Sequence, residues 1–232
     1  MAELFYSGPS EIDGKPIKGY ITGNSSNRKT GNMLQTWIVV DGLSPTEACK
    51  SGADESICGN CIHRPKNAGT CYVLTHQAPT AIQSFPAKPL SKRLNGTPLR
   101  LGAYGDPTAI PFGRWQSLLA AKDAPNHTGY THQWTTCDER FKELCMASVD
   151  NEEEYTIASA AGWRTYRVKR ENDPLLEGEI YCPSHKGVEC ANCKLCGGRS
   201  VDAPNIAIDV HGSNHKINLF EQNYANKNRV VN

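Results

Sequence analysis

The stretch P-L-R-L-G-A-Y-G-D-P, residues 98–107, followed by F-G-R-W-Q-S-L-L-A-A-K at 112–122, decides the fold class. A short apolar run ends in a Gly-Asp-Pro turn, and a segment with apolar residues at helical spacing comes next. The same order recurs twice. T-G-Y-T-H-Q-W (128–134) precedes C-D-E-R-F-K-E-L (137–144), and C-M-A-S-V-D (145–150) precedes N-E-E-E-Y-T-I-A-S-A-A-G (151–162), after which W-R-T-Y-R-V (163–168) closes the series. Strands alternating with helices imply a parallel sheet.

Upstream, Q-T-W-I-V-V (35–40) reads as a first buried strand, and S-P-T-E-A-C-K-S-G (44–52) as a short helix with a Ser44 cap, Pro at its first position and Gly at its end. Downstream, G-E-I-Y-C-P (178–183) and N-I-A-I-D-V-H-G (205–212) supply two more strands. The count predicts an α/β chain forming one domain over 1–232. The expected architecture is a small, partly irregular (β/α) TIM-like barrel with metal-binding cysteine loops at about 54–75 and 182–198. The first forty residues are rich in Gly, Ser, Asn and Lys, and the polar tail 223–232 is expected to fray.

Lysine plus arginine is 25 against 24 aspartate plus glutamate, so the summed field gives no general attraction to nucleic acid or anionic lipid. No apolar run approaches the roughly 20 residues that span a bilayer. The start M-A-E-L-F-Y-S-G-P-S lacks a basic, then apolar leader, so a cytoplasmic protein is expected. In that setting ten cysteines, mostly at close spacing, point to metal ligation rather than disulfides.

Cys182, Cys190, Cys193 and Cys196 form C-x7-C-x2-C-x2-C ending in Gly197-Gly198. Two-residue spacers let thiolates turn back onto one ion, and four thiolates close a tetrahedral zinc site. The same spacing also holds iron–sulfur clusters, so the metal stays open between the two. Cys58, Cys61 and Cys71 form a second group in the loop after the first strand, with His63 or a substrate as the fourth ligand. His185 and His211 are reserve ligands, and Cys49, Cys137 and Cys145 read as packing residues.

Asp106, His132, Asp150 and Asp209 fall at C-terminal strand ends, where a barrel gathers its catalytic groups. One carboxylate would act as nucleophile on a sugar carbon while another serves the leaving group. Asp106 before Pro107 and Asp150 before a helix equally fit turn and cap roles. Tyr104, Tyr130 and Trp134 flank these positions as stacking surfaces or as core. Arg100, Arg114, Arg164, Arg167, Lys169 and Arg170 supply a basic rim or solvated surface.

The set K-T-G-N-M-L-Q-T-W-I-V-V, I-C-G-N-C-I-H-R, L-G-A-Y-G-D-P, T-G-Y-T-H-Q-W, M-A-S-V-D and C-x2-C-x2-C-G-G resembles a group of small phage-encoded proteins of unassigned function. More loosely, the chain is similar to the guanine transglycosylases, including the branch that exchanges guanine in DNA for a 7-deazaguanine. That resemblance implies zinc on Cys190, Cys193, Cys196 and possibly His211, with Asp106 and Asp150 as base and nucleophile. DNA and a free 7-deazaguanine base would be its partners. The zinc spacing departs from that family, which begins C-x-C. The early cysteine loop is similar in place to that of radical S-adenosylmethionine enzymes, but reads C-x2-C-x9-C rather than C-x3-C-x2-C. Three functions are therefore expected in turn: a DNA guanine transglycosylase, an iron–sulfur enzyme, and a zinc-stapled nucleic-acid-binding module without activity.

Overall fold

The structure is a computed structural model that describes residues 2–23, 27–84, 86–92 and 94–227, the last four without their side chains. Eleven strands are described: β1 (Glu3–Pro9), β2 (Pro16–Thr22), β3 (Leu34–Val40), β4 (Lys88–Pro89), β5 (Leu99–Tyr104), β6 (His127–Thr128), β7 (Tyr130–Thr131), β8 (Met146–Val149), β9 (Thr165–Lys169), β10 (Glu179–Tyr181) and β11 (Asn205–Asp209). The helices are α1 (Pro45–Ser51), α2 (Glu55–Cys58), α3 (Ala78–Ser84), α4 (Phe112–Ala121), α5 (Glu152–Ala160), α6 (Cys190–Cys193) and α7 (Asn214–Lys227).

The strands form two sheets, ordered β4-β1-β2-β3-β5-β6 and β10-β11-β9-β8-β7. From β3 onward every pairing is parallel. Gly129 alone separates β6 from β7, and a Cβ there would lie 2.6 Å from the Leu144 carbonyl oxygen and 2.8 Å from Cys145 Sγ. A side chain would therefore push the break in the strand away from β8. The alternation of strands and helices is as expected. The TIM-like barrel is not reached: among the described residues no pairing closes the two sheets into a ring.

Strand β3 is buried along its whole length, as expected of a strand flanked on both edges and covered on both faces. Helix α1 carries the full capping box of Ser44 and Glu47, and Gly52 ends it in the left-handed conformation. The segment after Trp134 forms only a 3-10 turn, Glu139–Glu143. Two strands, β1 and β2, precede the run read as the first buried strand. The pair β1–β2 is antiparallel and extends the first sheet. The tail expected to fray is helical to Lys227, and 228–232 lie outside the described residues. One hydrophobic cluster joins Ile17, Ile38 and Leu101 of the first sheet to Ala147 and Val149 of the second. No described helix is long and apolar enough to cross a membrane.

Candidate functional site

Alternation along the parallel strands gives them two different faces. Gly102 and Tyr104 of β5, Tyr130 of β7, Tyr166 and Val168 of β9, and Ile206 and Ile208 of β11 line one cavity of about 270 Å³. Asp106, His132 and Asp150, one or two residues past their strands, stand at its C-terminal end, where parallel sheets place their sites.

The intervening residues face away. Arg167 makes a two-pronged pair with Glu179 at 2.8 and 2.6 Å, and Lys169 lies 2.6 Å from Asp209, which also accepts from the Tyr181 hydroxyl. Asp209 thus neutralises a buried lysine instead of meeting a substrate. Trp134 packs against the main core rather than lining the cavity. The expected basic rim is largely consumed as well: Arg170 pairs with Asp173, and Arg164 donates to the carbonyls of Leu195, Gly198 and Pro204. Arg100 does line the cavity, donating to the Tyr72 hydroxyl at 3.0 Å.

The early cysteine loop is clasped from behind. Arg64, 7% exposed, donates to both carboxylate oxygens of the buried Asp54 at 2.8 and 3.2 Å, and to the carbonyls of Gly52 and Gly59 at 2.8 Å each. The Cys58 carbonyl accepts from Gln133 at 3.0 Å, and the Asp106 amide donates to the Ile57 carbonyl at 2.6 Å. These bonds seat the loop on the ends of β5 and β7. Burial pushes the Cys58 thiol well up, Cys61 up to about 12 and Cys71 upward, so a metal arriving here displaces protons.

The late group docks from the other side. Cys182 follows β10 directly, Cys190 and Cys193 lie in α6, and Cys196 is buried. The Cys190 amide donates to the Lys29 carbonyl at 2.8 Å, and the Gly129 amide to the Cys196 carbonyl at 3.0 Å. Burial pushes Cys196 up to about 12, against a lowering hydrogen bond from Tyr130. All seven expected ligand cysteines line the one cavity. Among the described residues no three of these thiols lie together within 4.8 Å. A zinc tetrahedron with Zn–S near 2.3 Å holds its sulfurs about 3.8 Å apart, so the thiols stand wider than one ion requires.

Three of the expected catalytic residues meet, joined by His63. The His63 Nε2 lies 2.8 Å from Asp150 Oδ1, and the rings of His63 and His132 are 5.1 Å apart at 69°. Burial, with the charge of His63 adding to it, lowers the pKa of His132 against the pull of Asp150 and Asp106. Asp106 is fully engaged: Oδ1 accepts from the Thr108 amide and hydroxyl at 3.0 and 2.8 Å, and Oδ2 from the His132 amide at 2.9 Å. It caps a turn and holds the His132 backbone. Asp150 does not cap α5; Asn151 does.

His63 entered the sequence reading only as a fourth ligand to the cysteines, although its position two residues past Cys61 marks it as part of the site. Tyr166 and Phe220 carried no motif. The Phe220 ring stacks on His63 at 6.4 Å, and the Tyr166 ring lies 4.5 Å from that of Tyr130. His211 lines the cavity, whereas His185 is exposed and bonded to the Cys182 carbonyl. Cys145 is packed in the core as expected, and Cys49 sits 3.7 Å from the Tyr104 hydroxyl. Comparison of the chain with protein-family models, with curated proteins and with solved structures gives no match.

Proposed function

We propose that the protein is a metal-dependent enzyme of the iron–sulfur kind, with Cys58, Cys61 and Cys71 holding one cluster and Cys182, Cys190, Cys193 and Cys196 a second centre. The observation that carries this reading is that both thiol groups open onto one cavity at the C-terminal ends of parallel strands. Three thiolates leave a coordination position for a non-protein ligand, the mark of a reactive rather than a structural centre, whereas four close a site. The place of the early loop after β3, similar to that in radical S-adenosylmethionine enzymes, agrees with this. When bound, such clusters supply one-electron transfer.

The chain's own residues do the remaining work. Tyr130, Tyr166, Ile206 and Ile208 give the cavity a flat, apolar wall suited to a ring-bearing substrate. His63, His132 and Asp150 place polar groups at one end of that wall. From α7, Phe220 stacks on His63 and Asn223 donates to the Ala68 carbonyl at 3.4 Å, which ties the helix to the early loop. Anaerobically purified protein should contain iron and acid-labile sulfide, with a broad visible absorption that Cys61→Ser diminishes. Colourless protein with zinc alone would overturn the assignment.

The second reading is a zinc-bearing guanine transglycosylase acting on DNA. It is favoured by Asp106 and Asp150 sharing the cavity with Tyr104 and Tyr130. It asks Asp106 to give up hydrogen bonds on both oxygens. Exchange of labelled guanine into DNA, abolished by Asp150→Ala, would establish it in place of the first.

A further inference from the structure

We infer that His63, His132 and Asp150 form a mononuclear site for a divalent first-row transition metal, separate from the thiolate centres. The inference goes beyond the iron–sulfur reading and does not depend on it. One ligand atom from each of the three lies within 4.8 Å of the others, the single such group among the described residues. Ligands at about 2.1 Å from one ion lie about 3 Å apart when adjacent and about 4.2 Å when opposed. The 2.8 Å between His63 Nε2 and Asp150 Oδ1 is that of neighbours on one ion.

A hydrogen-bonded His–Asp pair would explain two of these residues but not the third. His132 comes from the end of β7, Asp150 from the end of β8 and His63 from the cysteine loop, so three separate elements aim at one point. His63 has the outer partner on its second ring nitrogen that a metal ligand needs, and the backbones of the other two are pinned. Thr70 Oγ1 bonds His63 Nδ1, which leaves Nε2 as the coordinating nitrogen. Asp106 holds the His132 backbone, the Asp150 amide donates to Glu154 at 2.8 Å, and Phe220 fixes the plane of His63.

Two imidazoles and one carboxylate with remaining positions open is the donor set of mononuclear iron(II) sites. Its harder nitrogen and oxygen donors separate it from the soft thiolates nearby. The open positions face the cavity, so a cavity-bound ligand with an oxygen donor would complete the coordination.

Manganese(II) is the probe, because it favours nitrogen and oxygen over thiolate. Full-length protein, stripped of metal and kept anaerobic, is titrated with manganese(II) and followed by electron paramagnetic resonance, with spin-echo modulation to detect imidazole nitrogen. One ion per chain with two nitrogen couplings is expected. His63→Ala, His132→Ala and Asp150→Ala should each weaken binding by about 100-fold or more, and Thr70→Val by about 10-fold. Cys61→Ser should leave manganese binding intact while diminishing the visible absorption of the protein as purified, so the two proposals fail separately. Absence of stoichiometric binding, nitrogen-free signals, or unchanged affinity in a folded His63→Ala protein would overturn the site. Should the alanine variants fail to fold, unchanged affinity in Thr70→Val would do so.

Discussion

Removing the Asp54 carboxylate should loosen the cysteine loop it holds and cost much of the chain's stability margin. Asp54 is 1% exposed and Arg64 7%, and the guanidinium spends its remaining hydrogens on the Gly52 and Gly59 carbonyls. Asp54→Ala leaves a buried cation with two carbonyls and, as counter-charge, only the exposed Glu55 carboxylate 3.6 Å away. Breaking such a pair from one side costs about 3–5 kcal/mol. At about 2–4 °C per kcal/mol for a chain of this size, melting should fall by about 6–20 °C. Arg64→Met alone leaves Asp54 buried as a bare anion, with a similar loss. The double change Asp54→Asn with Arg64→Met removes both charges and should cost less than the two single losses added together. Urea and thermal unfolding give the energies. Thiol labelling by mass spectrometry gives the location: Cys58, Cys61 and Cys71 should gain reactivity before Cys196 does, because the clasp touches only the early loop. A loss under about 1 kcal/mol, or equal gains in both groups, would refute the reasoning.

Gly105 has a φ of +81°, and a Cβ there would lie 2.7 Å from Ile38 Cβ. Gly105→Ala should therefore destabilise by at least about 1–3 kcal/mol from the backbone alone. Gly113→Ala, in open space on α4, should be neutral or stabilise by up to about 1 kcal/mol, as thermal melts of both will show. Burial lowers the pKa of His127, whose Nε2 meets the Leu144 carbonyl at 3.1 Å. The unfolded chain then binds the extra proton. Stability from this group is complete above the unfolded value near 6.5 and declines as pH falls, by up to about 1.4 kcal/mol per unit. His127→Gln should flatten that part of a pH–stability curve. In metal-free reduced protein at pH 8, Cys61 and Cys196, both pushed up to about 12, should resist alkylation, and the more open Cys193 should react first.

The parallel half of the fold was legible because each strand ended in its own signal. The run to Val40 is continuous and apolar, and Asp106, His132 and Asp150 each close a strand with a polar residue. Convergence of the ends followed from parallel direction alone. Strand phase explains one of the misses. Ile206 and Ile208 face the cavity, so Asp209 had to face the other way, towards Lys169, and counting in twos would have shown it. Strands β1 and β2 were hidden by Pro9, Pro16 and Gly19 and, in β1, by a partly exposed pattern. No spacing rule joins His63 to Asp150 across 87 residues; only the seating of the early loop on the strand ends does so.

That seating separates the task of the scaffold from that of the metal. Each cysteine loop is held by an arginine bonded to backbone carbonyls, Arg64 for residues 52–59 and Arg164 for 195–204. Neither clamp includes a thiol. In a small zinc finger the ligands are brought together only by the ion, and the chain is unfolded without it. Here, hydrogen bonds and two hydrophobic clusters, the second of them around Cys182 and Cys196, position the loops. A metal on the proposed thiol sites would meet side chains whose backbone these bonds already fix, so little of its binding energy would go into folding. A chain built this way should keep its secondary structure when stripped of metal and lose only what the cavity does.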